Sequence, residues 1–169
     1  KTTKTIEDIC KDYIVMFQVF NEYEEVIYKD YKENLYICPH CKRAFIMSPK
    51  HRFNLLFDNH AWEKLTLPTT SDDPLQFVDR TPYTDRLEEA RNDTGCNDAV
   101  TTADGTIGGV PSTVCVLNGD FMMGSMGRAA GDGIIASIEH AIESKRPFIM
   151  VVASGGARMQ ENILSLMQM

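Results

Sequence analysis

The chain has 169 residues, of which 43% are hydrophobic and 24% charged, a balance typical of a globular protein. Its net charge is −7 and no block is rich in lysine and arginine, which argues against nucleic acid as the main partner because phosphate contacts need clustered cations. No apolar run approaches the roughly 18 residues of a transmembrane helix, and residues 1–11 lack the apolar core of a signal peptide. The odd number of cysteines, five, predicts reduced thiols in a cytosol-like compartment.

A cysteine pair marks the segment 36–58. Cys38 and Cys41 have the spacing of half a zinc ribbon, and Pro39 lies between them. Tetrahedral zinc takes four ligands and no second pair follows, so the segment predicts a degenerate knuckle. Two alternatives stay open: a metal held by Cys38 and Cys41 with substitute ligands (His40, His51 or Glu22), or two buried thiols without metal. Before it, residues 13–20 are strongly apolar and predict a strand or a buried helical turn.

Local patterns then predict two helices. Residues 49–58 begin with a proline and place Phe53, Leu56 and Phe57 on one face. Residues 59–97 are predicted to be a linker with a charged surface helix from Tyr83 to Thr94, which Gly95 ends.

The segment 98–169 predicts an α/β core. Asp104-Gly105 between two short β-prone runs indicates a hairpin turn. A strand at 111–117, a helix at 128–145 and a buried strand at 148–153 follow in βαβ order. On that helix one stripe is apolar, formed by Ile134, Ile138, Ala141 and Ile142. The chain stops inside a further helical pattern, which predicts a truncated, cleaved or split product.

The most informative stretch is the glycine turn after the last strand, Ser154-Gly155-Gly156-Ala157-Arg158-Met159-Gln160-Glu161. Paired glycines let a ligand approach the backbone, and exposed N–H groups there suit an anion or a developing oxyanion. The alternative is that the glycines serve backbone geometry alone. A nucleophile elbow is excluded because position 152 is Val, and a Walker A loop because Gly-Lys-Ser/Thr is missing.

Six motifs in order resemble one family. They are Cys38-Pro39-x-Cys41, Tyr83-x-Asp85-Arg86-Leu87, Thr94-Gly95-x-x-Asp98-Ala99-Val100, Phe121-Met122-x-Gly124-Ser125-Met126-Gly127, the 154–161 stretch and Ser165-Leu166-Met167-Gln168-Met169. The chain resembles the carboxyltransferase β subunit of multisubunit acetyl-CoA carboxylase of bacteria and plastids over residues 36–169. Residues 1–35 match the family poorly.

The resemblance implies a crotonase-like α/β fold of layered ββα units, preceded here by a degenerate zinc-ribbon-like module. It implies transfer of a carboxyl group from carboxybiotin on a carrier protein to acetyl-CoA, giving malonyl-CoA for fatty acid synthesis. The implied partners are a carboxyltransferase α subunit, a complementary C-terminal β segment, biotin carboxyl carrier protein and biotin carboxylase, in the bacterial cytoplasm or the plastid stroma. Zinc at Cys38 and Cys41 is the one metal implied.

The resemblance also implies site residues. Ser154, Gly155, Gly156 and Ala157 would line the acyl-CoA and biotin channel with their amides turned toward the thioester. Arg158 would either contact a CoA phosphate or brace the turn through carboxylates such as Glu161. A second turn would be formed by Gly124, Ser125, Met126 and Gly127, with close helix–strand packing as its alternative. No general base is assigned, because biotin itself is thought to accept the proton in this family.

The chain departs from the family pattern in two respects that bear on its predicted activity. Met123 replaces a family glycine, which requires a negative φ there. The family's later Gly-Gly segment lies beyond Met169, so this chain by itself is expected to be inactive. Rival readings are a non-catalytic assembly or regulatory subunit with the same fold, another crotonase-like acyl-CoA carboxyltransferase or decarboxylase subunit and, more distantly, a zinc-ribbon nucleic-acid module.

Overall fold

A computed structural model describes residues 34–37, 42 and 44–168 of the chain. The chain divides into two compact units, residues 1–46 and residues 47–169. Within the described part of the first unit, Ile37 and Ala44 form an antiparallel bridge. The predicted apolar element at 13–20 and the Cys38–Cys41 knuckle lie outside the described residues.

The second unit contains a four-stranded mixed sheet with strand order β1-β2-β3-β4. The strands are β1 (Trp62–Lys64), β2 (Val100–Ile107), β3 (Val110–Leu117) and β4 (Phe148–Val151). β1, β2 and β3 pair antiparallel, and β4 pairs parallel to β3. The helices are α1 (Pro49–Leu56), α2 (Tyr83–Thr94), α3 (Arg128–Glu143) and α4 (Ile163–Leu166). β2, β3, α3 and β4 therefore form a ββα unit followed by a parallel strand, which confirms the predicted α/β order.

The structure confirms both helices, α1 and α2, that the sequence predicts in this part of the chain. α1 begins at Pro49, ends two residues before the predicted limit, and buries Phe53 against the tilted ring of Trp62. α2 has the predicted bounds and ends where Gly95 adopts a left-handed conformation with φ of 65°. Tyr83 and Leu87 are the residues that α2 buries.

The predicted hairpin turn at Asp104-Gly105 is wrong. β2 runs straight through this dipeptide, and the chain reverses at Gly108-Gly109, both with positive φ. The Asp58 carboxylate accepts both turn N–H groups, at 3.0 Å and 2.9 Å. Gly105 is required inside the strand because a Cβ there would lie 2.4 Å from the Phe57 ring. The glycine at position 105 is therefore required for packing against Phe57, at the end of α1, and not for a turn.

The predicted apolar stripe of α3 is also partly wrong. Ile138 and Ile142 are 38% and 69% exposed. The buried face instead consists mainly of small residues: Ala130, Gly131, Gly133, Ser137 and Ala141. These let the helix lie close to the sheet, where the Ser137 hydroxyl donates to the Gly133 carbonyl at 2.6 Å and lies 2.7 Å from the Thr102 hydroxyl. Hydrophobic content predicted the helix but not which face is covered.

β4 ends at Val151 rather than 153 and is half-buried to exposed, not the buried strand that its composition predicts. Its register places Val114 opposite Ile149 and Val116 opposite Val151. Because β4 is the last strand in the sheet order, it has one paired edge among the described strands. Its carboxyl end leads directly into the glycine bend.

Candidate functional site

The bend after β4 lies beside the turn that leads into α3. The Gly155 N–H donates to the Met123 carbonyl at 2.8 Å. Met126 and Ala157 form a parallel bridge, in which the Met126 N–H donates to the Gly156 carbonyl and the Arg158 N–H to the Met126 carbonyl. The two turns that the sequence predicts as parts of one site are therefore in direct contact.

The amides of the bend do not all face outward, which corrects the expectation for 154–157. The Gly155 amide is bonded to Met123, and the Gly156 amide donates to the Ser154 Oγ at 3.1 Å. The Ser154 and Ala157 amides donate to no described residue. Of these two residues, Ala157 lines a cleft. At most one of the four amides, that of Ala157, is therefore both without a partner among the described residues and part of a residue that lines the cleft.

An open cleft of about 510 Å³ separates the two turns from α2. Three of the nine predicted binding residues line it, namely Ser125, Gly155 and Ala157. The opposite wall is the exposed face of α2, with Glu89 and Asp93. Gly124, Met126, Gly127, Ser154, Gly156 and Arg158 do not line it.

The second turn is shaped by packing at both of its predicted glycines. Gly124 has φ of +65°, and a Cβ there would meet the Ala153 carbonyl oxygen at 2.0 Å. At Gly127 a Cβ would lie 2.3 Å from the Glu161 Oε1. A side chain at Gly124 would push the turn away from the bend, and one at Gly127 would displace the Glu161 carboxylate.

Met123 contradicts the expectation of a negative φ. Its φ is 59° and ψ is 26°, and the preceding Met122 also has positive φ. The turn keeps the left-handed geometry that a glycine would adopt freely, so methionine is strained at this position. The side chain is 75% exposed, so packing does not compensate.

Arg158 is the largest fully buried side chain of the described residues. Its guanidinium donates to both carboxylate oxygens of Asp98, at 2.7 Å and 2.8 Å, and to the Ser125 carbonyl at 2.8 Å. Burial alone would lower the pKa of Arg158, but hydrogen bonds and charge from Asp98 outweigh it and hold that pKa above its ordinary value. Of the two roles predicted for Arg158, this geometry is that of a brace, and its side chain has no exposure to offer a phosphate.

Tyr83 and Glu161 complete the buried cluster around Arg158. The Tyr83 hydroxyl donates to the Glu161 Oε1 at 2.7 Å and accepts from the Arg158 Nη1 at 3.2 Å. Burial raises the pKa of the Tyr83 phenol well above its usual range, so it stays protonated and keeps donating. Tyr83 and Asp98 both lie within the sequence motifs, but local sequence indicates no role for them because their partners lie 75 and 60 residues away.

Glu161 also occupies the start of α3. Its Oε2 accepts the Arg128 N–H, the first of the helix, at 2.7 Å. A carboxylate is favoured at this position because unpaired N–H groups and the helix dipole make a helix N-terminus positive. The chain's own carboxylate therefore takes the position that an anionic ligand would use.

No group of three or more potential metal-ligating side chains (His, Cys, Asp or Glu) occurs within residues 34–37, 42 and 44–168. Cys38 and Cys41 lie outside this part of the chain, as does Cys10. His51, one of the substitute ligands, is described, and its Nδ1 lies 2.8 Å from the Ser48 hydroxyl. Among the described residues, no helix is long and apolar enough to cross a membrane.

The mixed α/β fold with its braced glycine bend belongs to the carboxyltransferase class, as comparison with known proteins shows. Residues 64–169 match the model of the carboxyl transferase domain, and the chain belongs to this family. Its relatives include acetyl-coenzyme A carboxylase carboxyl transferase subunit beta of Azorhizobium caulinodans, 48% identical over 85% of this chain and 48% of the relative. The same subunit of Afipia carboxidovorans is 46% identical over 85% of this chain and 46% of the relative. The chain thus spans about half the length of these curated relatives.

Solved structures support the fold assignment. Transcarboxylase 12S with hydrolysed methylmalonyl-coenzyme A bound has a TM-score of 0.55 and 23% identity, covering 99% of this chain and 29% of that one. A Pseudomonas malonate decarboxylase hetero-tetramer in complex with malonate has a TM-score of 0.50 and 22% identity, covering 72% of this chain and 42% of that one. At this identity the likeness concerns the fold alone.

Proposed function

We propose that the chain forms one wall of the acyl-CoA site of an acetyl-CoA carboxylase carboxyltransferase. The reaction would move a carboxyl group from carboxybiotin to the methyl carbon of acetyl-CoA, giving malonyl-CoA. The family membership and the relatives' names support this reading. The observation that carries it is the unbonded Ala157 N–H beside the cleft.

The chemistry explains why such a donor matters. Removing a methyl proton from acetyl-CoA places negative charge on the thioester oxygen as an enolate forms. A main-chain N–H aimed at that oxygen stabilises the transition state more than the ground state, and it needs no reorganisation when held rigidly. The Met126 bridge and the buried Arg158 hold residue 157 on both sides.

Completion by other sequence is part of the proposal. With about half of the relatives' length, this chain would need a complementary β segment, a carboxyltransferase α subunit and a biotinylated carrier protein for turnover. Biotin carboxylase would supply the carboxybiotin. Three further expectations stay predictions. They are zinc at Cys38 and Cys41, the domain limits 1–35, 36–58, 59–97 and 98–169, and a location in the bacterial cytoplasm or the plastid stroma.

The test replaces single amides by esters in the chain assembled with these partners. An ester at Ala157 removes its N–H, and we expect kcat for malonyl-CoA formation to fall by about 100-fold or more. An ester at Gly156, whose N–H is satisfied internally by Ser154, is the matched control and should lower kcat far less. Equal losses at the two positions would contradict the role of Ala157. An inactive wild-type assembly, or co-purification of the chain beside a complete β subunit, would favour a non-catalytic role.

A further inference from the structure

Gln160 stands out among the residues that line the cleft. It is 8% exposed, lies in the single-turn 3-10 helix Met159–Glu161, and its polar atoms open onto the cleft. Its carboxamide makes no hydrogen bond to any other described residue. By contrast, the similar side chain of Gln168 donates to the Leu164 carbonyl at 3.1 Å.

Although only 8% of Gln160 is exposed, its carboxamide is not among the fully buried side-chain groups that lack a partner, so its polar atoms remain accessible from the cleft. A ligand that displaces water from these atoms must replace the lost hydrogen bonds, or affinity is lost. A glutamine carboxamide offers one acceptor oxygen and two donor hydrogens in a plane. The partner of Gln160 is therefore to be sought in what fills the cleft.

The backbone holds Gln160 in place from both sides. Arg158 before it and Glu161 after it are buried and belong to the same hydrogen-bonded cluster with Tyr83. The Glu161 N–H donates to the Arg158 carbonyl at 3.0 Å across the turn. The backbone of Gln160 is thus held in place before binding, which limits the conformational entropy lost when its carboxamide engages a ligand.

The charge of the cleft indicates a neutral ligand group. Glu89 and Asp93 place two carboxylates on the opposite wall. Arg86, the cation on that wall, is already paired with Asp79. A phosphate or carboxylate would meet net negative charge here, whereas a neutral group with one N–H and one C=O would match the carboxamide.

We propose that Gln160 is a recognition residue for a neutral secondary amide or ureido group of the substrates. This inference rests on the proposed function, because both substrates of that reaction carry such chemistry: the pantetheine arm of acetyl-CoA contains amides and the biotin ring contains a ureido group. Gln160 would bind the N–H and C=O of one of them while Ala157 faces the reacting acyl group.

Steady-state kinetics of the assembled enzyme test the proposal. Gln160→Met keeps the length of the side chain and removes its hydrogen bonds, and we expect KM for the recognised substrate to rise about tenfold with kcat changed less than about threefold. KM for acetyl-CoA and KM for free biotin as acceptor in the reverse reaction distinguish the two sources of the amide. Gln168→Met makes the same replacement away from the cleft and should leave both KM values unchanged.

Ligand binding gives a second readout that does not depend on turnover. Saturation-transfer NMR of the same assembly with pantetheine and with biotin should show a signal for one probe that Gln160→Met weakens and Gln168→Met retains. If wild type binds the probe through Gln160 without forming malonyl-CoA, amide recognition stands and the proposed function fails. The proposal is overturned if both KM values and both NMR signals are the same in wild type and Gln160→Met, or if Gln168→Met changes them equally.

Discussion

The guanidinium of Arg158 lies with its two terminal nitrogens 2.7 Å and 2.8 Å from the two carboxylate oxygens of Asp98, sixty residues earlier in the chain. This pair joins a residue two positions before β2 to the residue just after the glycine bend. Because the Arg158 side chain is fully buried, water does not reach its guanidinium to replace the Asp98 carboxylate. The position of the bend therefore depends on a bond made far away in sequence.

Asp98→Asn should destabilise the chain strongly. The substitution removes the closer counter-charge of the buried guanidinium and leaves only the Glu161 carboxylate, 3.6 Å from Nη1, so we expect the free energy of unfolding to fall by about 3 kcal/mol. Urea unfolding followed by circular dichroism measures this. Asp72→Asn is the matched control, since Asp72 pairs with Arg91 in the same two-bond geometry at an exposed position. The control should lose less than about 1 kcal/mol, and equal losses would contradict the importance of burial.

Tyr83→Phe removes one hydroxyl from the buried cluster. The Glu161 carboxylate then loses a donor and the Arg158 Nη1 an acceptor, so we expect a loss of about 1.5–3 kcal/mol in unfolding free energy. The variant keeps the aromatic ring in its buried position, which separates the hydrogen bonds from packing. An unchanged urea midpoint would show that water or another group satisfies Glu161.

Met123→Gly should stabilise the chain. Left-handed backbone costs a non-glycine residue about 1–2 kcal/mol, and glycine loses about 0.5–1 kcal/mol of that gain through its greater freedom in the unfolded chain. We therefore expect a net gain of about 0.5–1 kcal/mol, measured by urea unfolding. Met159→Gly is the control, because Met159 is similarly exposed at 72% and has no positive φ. That variant should be destabilised, and a loss of stability in Met123→Gly would contradict the strain at Met123.

Asp72 gives a pH-dependent prediction. Hydrogen bonds from Arg91 hold the pKa of the Asp72 carboxyl below its ordinary value. A carboxyl whose pKa is lowered by folding stabilises the folded state above its unfolded pKa of about 3.9, and this contribution disappears as the pH falls through the folded pKa. Carbon-detected NMR titration should show Asp72 titrating below an ordinary aspartate, and Arg91→Met should return its pKa toward the ordinary value. An Asp72 titration that Arg91→Met leaves unchanged would assign the shift to another cause.

Helices and strands that are determined by residues close together in the sequence could be predicted. Pro49 and Gly95 mark helix ends, and β-branched residues mark β3 and β4. The Asp104-Gly105 turn was wrongly predicted because this dipeptide is a good turn former, whereas here the Phe57 ring requires the glycine. The covered face of α3 was wrongly predicted because small residues, rather than large ones, allow the close approach to Thr102.

The contact between the two turns could be predicted from the sequence, but the bonding of their amides could not. The motifs indicated that the turns at 124–127 and 154–157 belong together, and the Met126–Ala157 bridge joins them. Which amides remain unbonded depends on how the two turns meet in three dimensions, as the Gly155 bond to the Met123 carbonyl shows. The unpaired carboxamide of Gln160 is likewise a property of the cleft, and no spacing in the sequence indicates it.

The Glu161 carboxylate at the first turn of α3 has a consequence for protein engineering. It supplies an internal counter-ion where helix starts elsewhere in proteins commonly hold phosphates. A designer who wished to graft a nucleotide-binding loop onto this scaffold would first have to delete that acid, and with it the acceptor of the Tyr83 hydroxyl. The start of α3 can therefore be redesigned only if the buried cluster is rebuilt at the same time.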